Sequence, residues 1–91
     1  MVNPVAIATE FVGTFIFLYV IVATGNPWAI GATLAILAYL AGSISGGHFN
    51  PAVTMMFLWN RGIASDNAVA YVLAQVAAGI LAVMTWKRIR A

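Results

Sequence analysis

Asn50 stands directly before Pro51, and behind the pair lies Ser45-Gly46-Gly47-His48-Phe49, a short irregular stretch containing two glycines. Asn then Pro is the pattern of a helix N-cap followed by the first helical residue. The apolar run Pro51 to Trp59 then reads as a nine-residue helix, roughly 14 Å long. Its first turn carries N–H groups without partners and about half a positive charge. That equips it to orient and repel rather than to break bonds: the helix end opposes cations, and the Asn50 amide can donate to the oxygen of a small polar molecule. The carbonyls of Gly46, Gly47, His48 and Phe49 lack helical partners and are natural acceptors, and glycine there lets the backbone itself form a wall. Glu10 and Gln75 each interrupt an otherwise apolar segment. An acid inside a membrane span costs about 2.5–3.5 kcal/mol on insertion scales, so Glu10 needs hydrogen-bond donors.

Each of these residues also has a plainer reading. Asn50 can be an N-cap and nothing more, and a capping role is compatible with its amide also meeting a small polar molecule. His48 can be a ligand or a proton relay, or a structural residue that ties the loop. Glu10 and Gln75 can be contacts within a helix bundle. Met55 and Met56 read as packing residues rather than a metal site. Bond-making chemistry is short of side chains: cysteine is absent, there is one histidine, and Glu10 and Asp66 are the only acids. That inventory excludes a thiolate site and argues against a metal cage and a paired-carboxylate hydrolase, and no cofactor is implied.

The elements that must position these groups follow from composition. The chain has 91 residues, 64% hydrophobic and 7% charged, where soluble domains have about 45–50% apolar and about 25% charged residues. So small a globule could not hide that apolar surface from water. A bilayer core of roughly 30 Å needs about 20 helical residues per span, which leaves room for three spans and one domain over residues 1–91. Helices are expected at about 5–24, 28–44 and 67–86, with a loop and short helix at about 45–59. Gly25-Asn26-Pro27 marks the first turn, and Ser65 or Asp66 is the expected cap of the last helix. The N-terminus lacks a basic leader region and the first apolar segment is too long for a signal core, so it reads as a mature span. Irregular backbone at membrane depth survives only when buried in protein or lining a water-filled cavity. A net charge of +2, with Lys87, Arg88 and Arg90 directly after Trp86, reads as a membrane-flanking anchor and not a nucleic-acid surface.

Ser45-Gly46-Gly47-His48-Phe49-Asn50-Pro51-Ala52-Val53-Thr54 resembles the Asn-Pro-Ala signature of the aquaporin and glycerol-facilitator family, in the form typical of the first of that family's two tandem halves. Glu10-Phe11-Val12-Gly13-Thr14-Phe15 resembles its first helix, and Tyr71-Val72-Leu73-Ala74-Gln75-Val76 with Gly79 resembles its third. The resemblance implies an all-α membrane fold of three transmembrane helices and one re-entrant half-helix. It also implies a passive channel rather than an enzyme, a place in the cell (plasma or inner) membrane, water or small neutral solutes such as glycerol as permeants, and bracing of the loop by Glu10 and Gln75. In such a channel the midplane dipole and the Asn50 amide would turn each water so as to interrupt a proton wire.

A complete member of that family resembles two such units fused in opposite orientations, and this chain matches one. The expectation is therefore two copies paired antiparallel about a two-fold axis in the membrane plane, each supplying one Asn50. The family's tetramers of pores further suggest eight chains in four pores. Where the family's second half carries an Arg after the motif's Ala, this chain has Val53. With the helix-two positions near Ile30 and Ala38, it predicts an apolar constriction. Lys87, Arg88 and Arg90 lie at one end of the spans and Arg61 with the α-amine at the other, a Lys/Arg bias toward a cytoplasmic C-terminal end and opposite to the orientation that the first-half resemblance implies. The alternatives are a non-conducting or regulatory half-subunit that needs a distinct partner half or a full-length channel, and a fragment without activity.

Overall fold

A computed structural model describes residues 1–90; Ala91 lies outside the described residues. The chain is all-helical, in the order α1 (Pro4–Thr24), α2 (Pro27–Ala41), α3 (Pro51–Trp59) and α4 (Ser65–Arg90). Three of the four helices begin with Pro behind an Asn cap. Asn3 accepts from the Ala6 N–H, Asn26 from those of Trp28 and Ala29, and Asn50 from that of Ala52. In each case the ring occupies a first-turn position whose N–H would have been idle, and the amide oxygen accepts from one or two of the other unpartnered first-turn N–H groups. Gly25, in the left-handed region at φ 57°, closes α1 by donating to the Ile21 carbonyl, so α1 and α2 are joined by two residues and run antiparallel.

Two boundaries differ from the expectation. α2 ends at Ala41 rather than Ile44, because the Ala41 carbonyl takes the N–H groups of Ile44, Ser45 and Gly46 together, at 2.9, 2.9 and 3.2 Å. The Ser45 side chain is meanwhile committed to Glu10. α4 continues through Lys87 to Arg90, whose long side chains are good helix formers and whose charges complement the carbonyl end of the helix. Neither Ser65 nor Asp66 is the cap of α4. The first helical bond runs from the Ala68 N–H to the Ala64 carbonyl, which leaves both in the first turn, where the Asp66 charge still meets the positive helix end.

α1 and α4 run parallel and form the principal helix pair. Their starts are tied by the Asn3 N–H donating to Asn67 Oδ1 (2.9 Å). Further along, Leu18 covers Gly79 so closely that an added Cβ would sit 2.8 Å from the Leu18 methyl. The buried positions of α4 are Ala68, Tyr71, Gln75, Ala78 and Ala82, spaced three and four apart, and those of α1 are Ala6, Glu10, Gly13 and Thr14. Small and polar residues thus fill the interior, while Val5, Val12, Ile16, Leu40, Leu73, Ile80 and Met84 face outward. That inverted distribution suits helices in lipid, where close backbone approach and interhelical hydrogen bonds replace the hydrophobic effect. α1 and α4 are each long and apolar enough to cross a membrane. α4, at 26 residues, is about 39 Å long, and α2, at 15, only about 22 Å.

Candidate functional site: the loop and tip of the half-helix

The loop between α2 and α3 is held from the side by α1. Glu10 is fully buried, and its two carboxyl oxygens accept four bonds. Oε2 takes the Ser45 hydroxyl (2.7 Å) and the His48 N–H (3.0 Å), and Oε1 takes the Phe49 N–H (2.8 Å) and Gln75 Nε2 (2.9 Å). Four donors on two oxygens fill the acceptor capacity of a carboxylate. This arrangement meets the cost of placing an acid inside the bundle.

Gln75 extends the network by donating also to Thr54 Oγ1 (3.0 Å), which lies 2.8 Å from His48 Nδ1. The His48 ring stacks on Phe57 at 4.7 Å between centroids and meets Tyr71 edge-on at 5.1 Å. Tyr71 in turn donates its hydroxyl to the Ser45 carbonyl (2.7 Å), and Ser45 Oγ accepts from the Gly47 N–H (3.1 Å). Three helices therefore fix one loop: α1 through Glu10, α3 through Thr54 and Phe57, α4 through Tyr71 and Gln75.

Backbone shape is imposed at the same time. Phe49, a buried non-glycine residue, sits at φ 53°, a conformation that costs on the order of 1–3 kcal/mol. The bond from its N–H to Glu10 and the burial of its ring hold it there. Its ring lies over Gly13, where an added Cβ would come within 2.1 Å of Cε1, so only glycine fits at that turn of α1. Gly47, at φ 63°, lies against Ala38, with an added Cβ 3.1 Å from the Ala38 Cα. The carbonyls of Gly46, Gly47, His48 and Phe49 accept none of the hydrogen bonds that the described residues form around the loop. They remain available as acceptors.

Asn50 is exposed at the tip of α3, its Oδ1 bonded to the Ala52 N–H (2.8 Å). It opens onto a cleft of about 570 Å³ between the far halves of α1 and α4, with Thr14, Phe17, Leu18 and Ile21 on one wall and Gln75, Val76, Gly79 and Ile80 on the other. Phe49, Asn50 and Pro51 form its floor. Two buried polar atoms, Thr14 Oγ1 and Gln75 Oε1, have no hydrogen-bond partner, and both belong to residues lining this cleft. Both residues are almost wholly enclosed, so these are unpaired groups inside the cleft wall and not on its open surface.

The structure thus brings Glu10, Gln75, His48, Phe49, Asn50 and Pro51 to one place. Val53 is half-buried in the first turn of α3. Ile30 and Ala38 lie eight positions apart on α2, about 12 Å along its axis, with Ala38 backed onto the loop. Sequence reasoning assigned no role to Ser45, Tyr71, Thr54, Gly13 or Thr14. For Thr14 and Tyr71 a signal existed: Glu10 and Thr14, and Tyr71 and Gln75, are each four apart, and so share a helix face.

A sequence model of the family described as major intrinsic protein matches residues 23–90. The glycerol uptake facilitator protein-like 6 of Lactiplantibacillus plantarum is 43% identical over 82 residues, covering 80% of this chain and 38% of its own length. The probable aquaporin PIP2-8 of Arabidopsis thaliana is 39% identical and the probable aquaporin PIP2-6 of Oryza sativa subsp. japonica 38% identical, each covering 86% of this chain and 34% of the relative. The chain spans about a third of the length of the curated relatives it matches. No solved structure matches it.

Proposed function

The chain belongs to the major intrinsic protein family, whose members are membrane channels and not enzymes, and on that premise we propose that it forms half of a pore for water and small neutral solutes such as glycerol. The other half is a second copy in the opposite membrane orientation. The observation that carries this reading is the cleft beyond the tip of α3. α1 runs on ten residues from Thr14 to Thr24, about 15 Å, and α3 with its nine residues is about 14 Å long. The cleft therefore matches a second α3 in length. Two helix tips meeting there about an in-plane two-fold axis would bring both copies of Asn50 to the midplane.

In such a pore a water passing the tips accepts from the Asn50 amides, and its hydrogens are turned toward the loop carbonyls of Gly46 to Phe49 in each half. Its lone pairs are thereby occupied and the proton wire is interrupted. The paired helix ends add a positive potential against hydronium and other cations. With Val53 where an Arg would supply a fixed charge, the wall gains no strong donor beyond the backbone and Asn50, which suits neutral permeants. The same reading places the chain in the plasma or inner membrane of a cell and allows four such pores, eight chains, to associate under dihedral symmetry.

Antiparallel pairing requires that both orientations insert. Reporters fused after Arg90 are expected on both membrane faces, in fractions that shift when Lys87, Arg88 and Arg90 are neutralised. A population wholly on one face contradicts the pairing of identical copies. The charge bias toward one orientation would then favour a distinct partner half.

A further inference from the structure

We propose that the basic end of α4 is a binding site for the phosphate of anionic membrane phospholipids, formed by Trp86, Lys87 and Arg90. It is separate from the cleft and stands whatever completes the pore. α4 is about 39 Å long against a hydrocarbon core of roughly 30 Å, so its last turn passes beyond the acyl chains. Trp86 is half-buried at that level, and Lys87, Arg88 and Arg90 are exposed above it.

At about 100° per residue, Arg90 lies about 40° and Lys87 about 100° around the helix from Trp86, whereas Arg88 falls about 200° away. Two of the three cations therefore share a sector with the indole. Within it the Arg90 guanidinium sits over the Trp86 ring, 4.4 Å from its centroid. Stacking restricts the long Arg side chain while its N–H edge stays open, and that planar fork matches two oxygens of one phosphate. Lys87 adds a mobile point charge beside it.

No carboxylate of the described residues reaches this sector. Glu10 is enclosed by the loop, and Asp66 is at the opposite end of α4, twenty positions from Trp86, about 30 Å away. Among the described residues these cations have no carboxylate partner, and what lies at that depth is the lipid headgroup layer. Complementing the carbonyl end of the helix accounts for cations in the last turn, but not for their grouping around a stacked indole. A zwitterionic headgroup would bring its own ammonium against Lys87 and Arg90, so the site selects lipids whose headgroup is net negative.

The test uses the whole chain with Trp28→Phe and Trp59→Phe, which leaves Trp86 as its sole tryptophan. It is reconstituted in phosphatidylcholine with a small mole fraction of lipid carrying brominated acyl chains. Brominated phosphatidylglycerol is expected to quench Trp86 at least about fivefold more effectively than brominated phosphatidylcholine, as two juxtamembrane cations would give. Lys87→Gln with Arg90→Gln should erase that preference, while Arg88→Gln should keep most of it. Equal quenching by the two lipids overturns the proposal. So does a loss with Arg88→Gln as complete as with Lys87→Gln and Arg90→Gln together, which would indicate diffuse surface charge rather than a site. All three cations are exposed, so an unchanged circular dichroism spectrum is expected for each variant.

Discussion

Replacing Glu10 by Ala is expected to unfold the loop and to abolish conduction, with the thermal midpoint in detergent falling by about 15 °C or more. The substitution leaves the Ser45 hydroxyl, the His48 and Phe49 N–H groups and Gln75 Nε2 without their acceptor in a buried site. Each unsatisfied donor costs about 1–3 kcal/mol. Even with relaxation the loss of several kcal/mol is a large part of a typical stability of about 5–15 kcal/mol. For a domain of this size each kcal/mol corresponds to about 4–8 °C. Phe49, already at a positive φ, would lose the bond that holds it there. Glu10→Gln should fall between wild type and Ala. Its amide nitrogen can face Ser45, whose hydroxyl can turn and accept, but the His48 N–H then meets a donor. Thr85→Val supplies the control, because that hydroxyl only bonds back to the exposed Leu81 carbonyl. It should change the midpoint by no more than a few degrees, as surface changes usually do.

Asn50→Asp should leave the fold intact and open the pore to protons. Asp caps a helix as well as Asn does, so the bond from the Ala52 N–H is retained. The amide donor is replaced by an acceptor, and a full negative charge is set against the roughly half positive charge of the α3 terminus. At an effective dielectric constant of about 20, a unit charge 4 Å from a passing cation contributes about 4 kcal/mol. A third of that, taken from the barrier, raises a rate about tenfold. Proteoliposomes containing the variant and a trapped pH-sensitive dye should therefore show a proton leak at least about tenfold above wild type. Osmotic water flow should change by less than about twofold. An unaltered proton leak in a folded variant would remove Asn50 and the helix dipole from the mechanism.

The parts of this molecule that could be read from sequence are those fixed by local chemistry. Asn before Pro marked the start of α3, since cap and first residue need no tertiary partner. Glu10 announced a need for donors, because an acid in a span has no other way to be tolerated. The end of α2 was not legible. Gly42, Ser43 and Ile44 continue an apolar-to-small pattern, and the helix stops where it does because Ser45 is drawn to Glu10, thirty-five positions away. The bonds of Tyr71 and Thr54, to the Ser45 carbonyl and to Gln75 and His48, were not legible for a similar reason: they exist only once α3 and α4 are packed. Gly13 looked like one small residue among several in an apolar helix. Its importance comes from the Phe49 ring that lies on it. Nor could sequence give the cleft, whose walls are the outer halves of α1 and α4 and whose unpaired atoms, Thr14 Oγ1 and Gln75 Oε1, become exceptional only when burial is known.

The central claim is that two copies of this unit suffice for a pore, and the most direct measurement is osmotic water permeability of liposomes containing only the purified chain. Stopped-flow light scattering after a hyperosmotic step should show shrinkage several times faster than in protein-free liposomes. The temperature dependence should be weak, as for water moving through a pore rather than dissolving in lipid. Addition of a glycerol gradient would report whether larger neutral solutes follow. Shrinkage no faster than in protein-free liposomes, with circular dichroism showing the helices intact, would contradict the account and leave a half-unit that requires a different partner.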